Sequence, residues 1–360
     1  LIRDKDDEVK ASLKYKGEII PVKIRLKGDL TDHFAGEKWS YRVKVKGDNA
    51  LFGMRNFSLQ HPRTRNYFNE YFYHRLFKYE KMPYLRYDFI TLKLNGKGLG
   101  VYALEEHFGK ELVENSGYRE GPIIKFIEDD FWINKARTIK RVGFDNNDIT
   151  EYKSYGNNAN IGVFNAKKLN QDIVKSSQFQ AAKNLLNDFL IGKKTTSEVF
   201  DLEKTAIYFA INDILGSSHA YDWHNIRFYF NPINSRLIPI GFDGHIGFDI
   251  STNRQLSIDK NPFKIFDDIK FLEEYVRQLE RISDLDYFSL FLDKNNDIFQ
   301  SKVGYINKSF PFVRFQKNKW INSLSYVRGR LSPLKFLSVE ATTAINIEDK
   351  NLFFFRNKTV

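Results

Sequence analysis

Alternating apolar and polar residues dominate the first third of the chain. Val9 to Tyr15 and Ile19 to Leu26 alternate on either side of Lys16-Gly17, which predicts a β-hairpin. Tyr41 to Val45 alternates as a further strand. Phe89 to Leu94 and Leu99 to Leu104 flank Asn95-Gly96-Lys97-Gly98, a second hairpin, and Pro122 to Ile127 reads as another strand. The period changes between Arg65 and Glu80. There Tyr67, Phe68, Tyr71, Phe72, Leu76 and Tyr79 fall on one side of a helix. Phe108 to Asn115 reads as a short helix.

Residues 134–165 are polar and rich in Asn and Gly, the composition of a linker or mobile loop. From Ala166 the pattern is helical. Leu169 to Ile191 and Leu202 to Leu215 carry helix periodicity, and Asp201 is placed to cap the second. An irregular stretch, Ser217 to Asn225, then leads into a hairpin of Ile226 to Phe230 and Leu237 to Ile240, joined across Asn231 to Ser235. The hairpin exits at Gly241-Phe242-Asp243-Gly244, and residues 264–335 read as mainly helical. The expected fold is α+β in two lobes: a sheet-rich part over 1–130, a polar linker over 131–165, and a mainly helical part over 166–360 that carries the hairpin segment 217–250.

Composition narrows the chemistry. The chain of 360 residues has no cysteine, which removes disulfides, thiolate nucleophiles and cysteine-ligated zinc. No run approaches 18 apolar residues, so no membrane-spanning segment is expected. The chain starts at Leu1 without a charged segment leading into an apolar one, and it reads as an excised or processed piece. Lys plus Arg is 56 against 45 Asp plus Glu, a net charge of +11, which favours anionic partners or is simply a solvated basic surface. Nucleic-acid motifs are absent, so no nucleic-acid partner is expected.

Side chains alternate faces along a strand. Lys23, Arg25 and Lys27 therefore share one face, as do Arg42, Lys44 and Lys46. If the strands pair in register, six cations line one side of a sheet. That surface suits a triphosphate, or it is the wet face of an amphipathic sheet. Asp222, Asn225 and Asp243 bracket the later hairpin. Phosphoryl transfer from ATP needs a carboxylate near the acceptor hydroxyl and oxygen ligands for Mg²⁺. Protein kinases draw these groups from an Asp, an Asn shortly after it, and an Asp beyond the next hairpin. The competing reading makes these turn and cap residues. His219, His224 and His245 lie near Asp222, Asp243 and Asp249, a combination able to hold Zn²⁺ or Mn²⁺, yet without tight ligand spacing. Glu105-Glu106 ends a strand where a two-lobed nucleotide enzyme crosses between lobes, or opens the next helix as solvated carboxylates. No Gly-rich phosphate loop and no G-x-S-x-G elbow are present.

These residues resemble the spore coat protein H-like (CotH) kinases over roughly residues 20–250. Lys38-Trp-Ser-Tyr-Arg-Val-Lys44 is similar to the family's K-x-S-Y-R-hydrophobic-K strand, and Leu51-Phe-Gly53 with Phe57-Ser-Leu59 to its next segment and strand. Arg65-Asn66 resembles its R-N pair. Leu94-Asn-Gly96, Gly100-Val-Tyr102 and Leu104-Glu-Glu106 resemble its hairpin. Asp222, Asn225 and Gly241-Phe-Asp243, with Gly247-Phe248, resemble its asparagine strand and acidic exit. The resemblance implies an atypical protein-kinase-like fold that binds ATP with Mg²⁺ or Mn²⁺ and phosphorylates a protein or surface polymer, secreted or at a bacterial cell envelope. It implies Asp222 and Asp243 as catalytic, Asn225 and Asp243 as metal ligands, and Arg42, Lys44, Arg65 and Glu106 as nucleotide contacts. By analogy with ordinary kinases Glu70 pairs with Lys44.

The sequence departs from the family at Lys27-Gly28-Asp29, where the family has R-G-N, and at Phe242, where it often has Trp. Asp222 and Asn225 stand three apart, whereas ordinary kinases space them by five. Other readings therefore stay open: a non-catalytic binding or scaffold module, AMP transfer, or a His/Asp metal phosphoesterase.

Overall fold

Two tight turns organise the first sheet. Lys16-Gly17 and Asn95-Gly96 both hold positive φ at each residue, the geometry whose twist matches a right-twisted hairpin. The structure, a computed structural model, describes residues 7–28, 31–34, 36–143, 155–156, 158–169, 171–247 and 254–331. Among these, β1 (Val9–Tyr15), β2 (Glu18–Leu26), β3 (Tyr41–Val45), β4 (Asn56–Gln60), β5 (Tyr87–Leu94) and β6 (Lys97–Glu106) form an antiparallel sheet in the order β1-β2-β3-β4-β6-β5. A smaller sheet, in the order β10-β9-β7-β8, is built from β7 (Ile123–Phe126), β8 (Ile161–Val163), β9 (Arg227–Asn231) and β10 (Arg236–Pro239).

Alternation gives the larger sheet two unlike faces. Val22, Val43, Val45, Phe57, Leu59, Tyr102 and Leu104 bury one face in an apolar cluster. The other face carries polar side chains, and register aligns them. Arg25 pairs with Arg42, Arg42 with Ser58, Ser58 with Glu105 and Glu105 with Tyr87; Lys23 likewise pairs with Lys44. The cations expected to share a face do share it. Burial grades along it: Lys44 is exposed, whereas Lys27 is 8% exposed.

Among the described residues, seven longer helices complete the fold: α1 (Asn69–Tyr79), α2 (Asp129–Val142), α3 (Ile173–Leu190), α4 (Leu202–Leu215), α5 (Ile269–Ile282), α6 (Leu285–Asn307) and α7 (Lys317–Leu331). The central one is α4, buried at every position from Thr205 to Leu215. As expected, Asp201 caps it, accepting from Lys204 N–H, and Gly216 ends it in the left-handed region at φ 61°. Against α4 packs α5, whose Phe271, Leu272, Tyr275, Leu279 and Ile282 are buried. Asp213 on α4 ties the two together, accepting from Ser257 N–H, Ser257 Oγ and Tyr275 Oη at 2.6, 2.5 and 2.7 Å.

Several expected boundaries shift. The helix expected from Arg65 starts at Asn69, because Asn66 and Tyr67 sit in the left-handed region at φ 50° and 56°. The helix expected from Phe108 is Lys110–Asn115, and that expected from Leu169 is α3. The linker expected over 131–165 is largely structured where described, as α2 and β8. Among the buried residues of α2 only Phe131 appears, so its polar surface masks a helix. Residues 144–154, Asp29, Phe248, Asp249 and Phe353-Phe-Phe355 lie outside the described residues. The result is an α+β fold, with an antiparallel sheet set against helices.

Candidate active site

The polar face of the larger sheet, the start of α1 and the loop after β10 meet around four charged side chains. Lys27 Nζ donates to Glu105 Oε2 at 2.5 Å and to Gln60 Oε1 at 2.8 Å. Arg65, in the turn before α1, reaches both ways. Its Nε lies 3.8 Å from Glu105 Oε1 and its Nη2 lies 3.1 Å from Asp243 Oδ2. Lys27, Glu105, Arg65 and Asp243 thus form one chain of alternating charge, each nine-tenths buried or more. Burial would raise the Glu105 carboxyl; Lys27 and Arg65 more than offset that and hold it below its ordinary range. Burial pulls the Lys27 ammonium down to about 8, against the attraction of Glu105.

The loop carrying Asp243 is forced into an uncommon backbone. Asp243 and His245 have φ of 51° and 46°, the left-handed region, on either side of Gly244. Three contacts hold it there. Ser217 Oγ donates to Gly244 O at 2.6 Å, Gly244 N–H donates to Glu70 Oε1 at 3.3 Å, and Asn69 Nδ2 donates to Ile246 O at 3.0 Å. Gly241, at the loop's start, lies so close to the Phe77 ring that a Cβ would sit 2.9 Å from it. The loop is therefore seated on α1 from both ends.

Two imidazoles close the pocket. His245 Nε2 lies 3.0 Å from Asp243 Oδ1, and His219 Nε2 lies 4.0 Å from Asp243 Oδ2. Their rings stack at 4.3 Å. On its far side His219 Nδ1 meets Asp222 Oδ2 at 3.2 Å. Asp222 ends the turn Ser218–Tyr221, with its side chain 41% exposed. Asn225 is buried and donates from Nδ2 to His219 O at 3.0 Å. Burial would raise the Asp243 carboxyl; Arg65, then His245 and His219, hold it well below the usual carboxylate range. His219 is raised: burial pulls it down, but Asp222 and Asp243 prevail.

A cavity of about 380 Å³ is lined among others by Lys44, Asn56, Gly109, Ile123 and Phe164, and none of the four linked charges lines it. Arg227 sits between the rings of Phe108, Phe164 and Phe242, and so links the cavity wall to the residue before Asp243. A second cavity, of about 410 Å³ beside Lys38, His61 and Arg63, likewise includes none of the four linked charges.

The order of these elements is that of the resemblance read in the sequence, and a profile of the family described as CotH kinase protein matches residues 24–282, more than half the chain. The chain belongs to the CotH kinase family. No curated protein matches it. The family match runs to the last residue of α5, some thirty residues past the stretch whose motifs are readable by eye. A CotH kinase points to kinase-type transferase chemistry, with a nucleotide and an acceptor as its substrates. No helix among the described residues is long and apolar enough to cross a membrane.

Within this cluster, Asp243 meets Arg65, Asp222 and Asn225 each contact His219, and Arg42 lies on the polar sheet face. Lys44 is on that face too, at the cavity. Glu106 is elsewhere. It points to the opposite face of β6, accepting from Arg86 N–H and Arg86 Nε at 3.0 and 2.9 Å. Its neighbour Glu105 faces the site instead, because successive strand residues alternate. The expected Glu70–Lys44 pair does not form. Glu70 binds Gly244 N–H and lies 3.5 Å from His74. The sheet–site ion pair is Lys27 with Glu105, and neither had been singled out alone. The donor set suits a divalent cation: Asp243 Oδ1 is buried without a hydrogen-bond partner among the described residues, and two imidazole nitrogens stand beside it.

Proposed function

We propose that this chain is an ATP- and divalent-metal-dependent phosphotransferase acting on hydroxyl groups of a protein or surface polymer. The observation that carries this reading is the contrast between two carboxylates flanking His219. Asp243 is buried and kept ionised by Arg65. Asp222 is partly open to solvent, its side chain 41% exposed. A buried ionised carboxylate serves as a metal ligand, and an accessible one serves to orient an acceptor hydroxyl.

On this reading Asp243 holds the cation, with Asn225 near it. A bound divalent ion supplies charge neutralisation on the phosphates. Arg65 fixes the Asp243 carboxylate and keeps its Oδ2 engaged. Arg42 and Lys44 offer positive charge along the sheet face, and the cavity beside Lys44 has room for the nucleotide's base and sugar. Asp222 accepts the proton side of the acceptor hydroxyl and orients its oxygen. Residues 1–130 then act as a nucleotide lobe and 166–360 as a helical lobe.

Incubation with Mg²⁺ or Mn²⁺ and ATP labelled at either the γ- or the α-phosphate tests it, using a generic protein acceptor and an Asp243→Ala control. Transfer from γ, lost in the control, supports the reading. Transfer from α would replace it with AMP transfer. No label and no stabilisation of the fold by MgATP or MnATP would favour a binding module.

A further inference from the structure

We propose that the cation site of this chain is a mixed imidazole–carboxylate site, His219, Asp243 and His245, built for a first-row transition ion such as Mn²⁺ or Zn²⁺ in preference to Mg²⁺. This deepens the phosphotransfer reading and rests on it only for what the ion does there. Its support lies in the geometry. One ligand atom from each residue falls within 4.8 Å of the others. Ligands about 2.0–2.2 Å from a single ion span up to about 4.4 Å, so a side-chain shift of roughly a few tenths of an ångström closes the set.

Three further features fit an ion at this spot. Asp243 is 8% exposed, and its Oδ1 has no hydrogen-bond partner among the described residues although His245 Nε2 is 3.0 Å away. This buried carboxylate oxygen and the ring nitrogen facing it are two metal-ligating atoms converging on one point. Next, His219 contacts the Asp222 carboxylate through Nδ1. With the proton on Nδ1, the lone pair is on Nε2, the nitrogen that faces Asp243. A carboxylate behind a ligating imidazole fixes its tautomer and ring orientation in metal sites. Last, Arg65 engages Asp243 Oδ2 through Nη2 and leaves Oδ1 available; its Nη1 lies 3.4 Å from His245 Nε2, a contact that a bound ion would replace. Imidazole nitrogens bind Mn²⁺ weakly and Zn²⁺ well, whereas Mg²⁺ keeps an oxygen and water shell. A site offering two nitrogens and one oxygen therefore discriminates against Mg²⁺.

The test uses chelator-treated full chain without nucleotide. Mn²⁺ binding is followed by loss of its free paramagnetic signal and Zn²⁺ binding by calorimetry, each with and without hundredfold excess Mg²⁺. One ion per chain, retained against Mg²⁺, is expected. His219→Gln and His245→Gln should each weaken Zn²⁺ binding at least tenfold, and Asp222→Asn, which keeps all three ligands, about tenfold. Melting curves of each variant separate loss of a ligand from loss of the fold; His245, partly exposed, is the variant least able to unfold the chain. Displacement of Mn²⁺ and Zn²⁺ by the hundredfold excess of Mg²⁺, or wild-type affinity in both histidine variants, would overturn the inference. Because the binding test needs no ATP, tight Zn²⁺ binding together with no phosphoryl transfer in the separate labelled-ATP assay would sink the proposed function and leave this site standing. Transfer with Mg²⁺ in both histidine variants at wild-type rate would do the reverse.

Discussion

Arg65 lies between Asp243 and Glu105, with Nη2 3.1 Å from one carboxylate and Nε 3.8 Å from the other. One guanidinium thus balances a carboxylate from the sheet and another from the loop after β10. Its charge is strengthened in turn: burial would weaken it, but Asp243 and Glu105 raise its proton affinity further. Stability and site geometry depend on the same side chain.

Arg65→Met should therefore destabilise the fold by about 3–5 kcal/mol, because two buried carboxylates lose their partner. Urea unfolding midpoints measure this. Adding Asp243→Asn to the same chain should recover part of the loss. Unchanged stability in the single variant would mean that Lys27 alone can neutralise the cluster.

Asp222→Asn should leave the melting temperature close to that of the parent chain, since the side chain is 41% exposed. Transfer from γ-labelled ATP should fall by about 10²- to 10⁴-fold. A parent-like rate would remove Asp222 from the acceptor side of the proposed site.

Asp213 should give the fold a pH slope of its own. Burial pushes its carboxyl up to about 6, although Ser257, Tyr275 and Arg254 act against that. Its folded-state affinity for protons exceeds that of the unfolded chain. The stabilisation is thus complete below the unfolded value of 3.8 and is lost as pH rises through about 6. Each pH unit of difference corresponds to about 1.4 kcal/mol, so the window from pH 4 to 6 should show a decline on the order of 3 kcal/mol from this residue. Unfolding free energies of the parent and Asp213→Asn across that window test it. Parallel curves would show that the Ser257 and Tyr275 hydrogen bonds keep the carboxylate ionised throughout.

Gly241→Ala should destabilise the chain by about 1–3 kcal/mol through overpacking. The new methyl would lie 2.9 Å from the Phe77 ring, which is fully buried, and Gly241 is bridged to Tyr84. Phosphoryl transfer should fall with it, because Asp243 is two residues on. A melting temperature equal to the parent's would mean that the loop can lift off α1.

Much of the fold was legible where local chemistry decides it. Asp201 as a helix cap and both Gly-containing hairpins are set by residues adjacent in sequence, and they form as read. In α2, by contrast, a single residue is buried, and the polar composition of the stretch hides the helix. Its other signal was charge order, with Asp129 and Asp130 in the first turn and Lys140 and Arg141 in the last. At the site, the exchange of Glu106 for Glu105 is a one-residue matter of strand parity, which only the pairing of Glu105 with Ser58 and Tyr87 decides. His219 and His245 are remote in sequence, and their approach depends on how the loop after β10 is seated on α1. No ligand spacing along the chain could announce it.

The long helix α6 has a further effect on the larger sheet. It runs beside β5, where Lys302 pairs with Asp88 and Tyr305 meets Thr91 at 2.9 Å, while Ser309 just beyond it accepts a hydrogen bond from Val101 N–H at 2.9 Å. A sheet margin with open peptide groups is a template on which a stray strand can grow. Here α6 flanks the β5 margin in part, and the opposite margin, β1, carries exposed Lys10 and Lys14. Like-charged strands approaching that side repel one another, so the sheet is guarded against self-association by a helix at one end and by charge at the other.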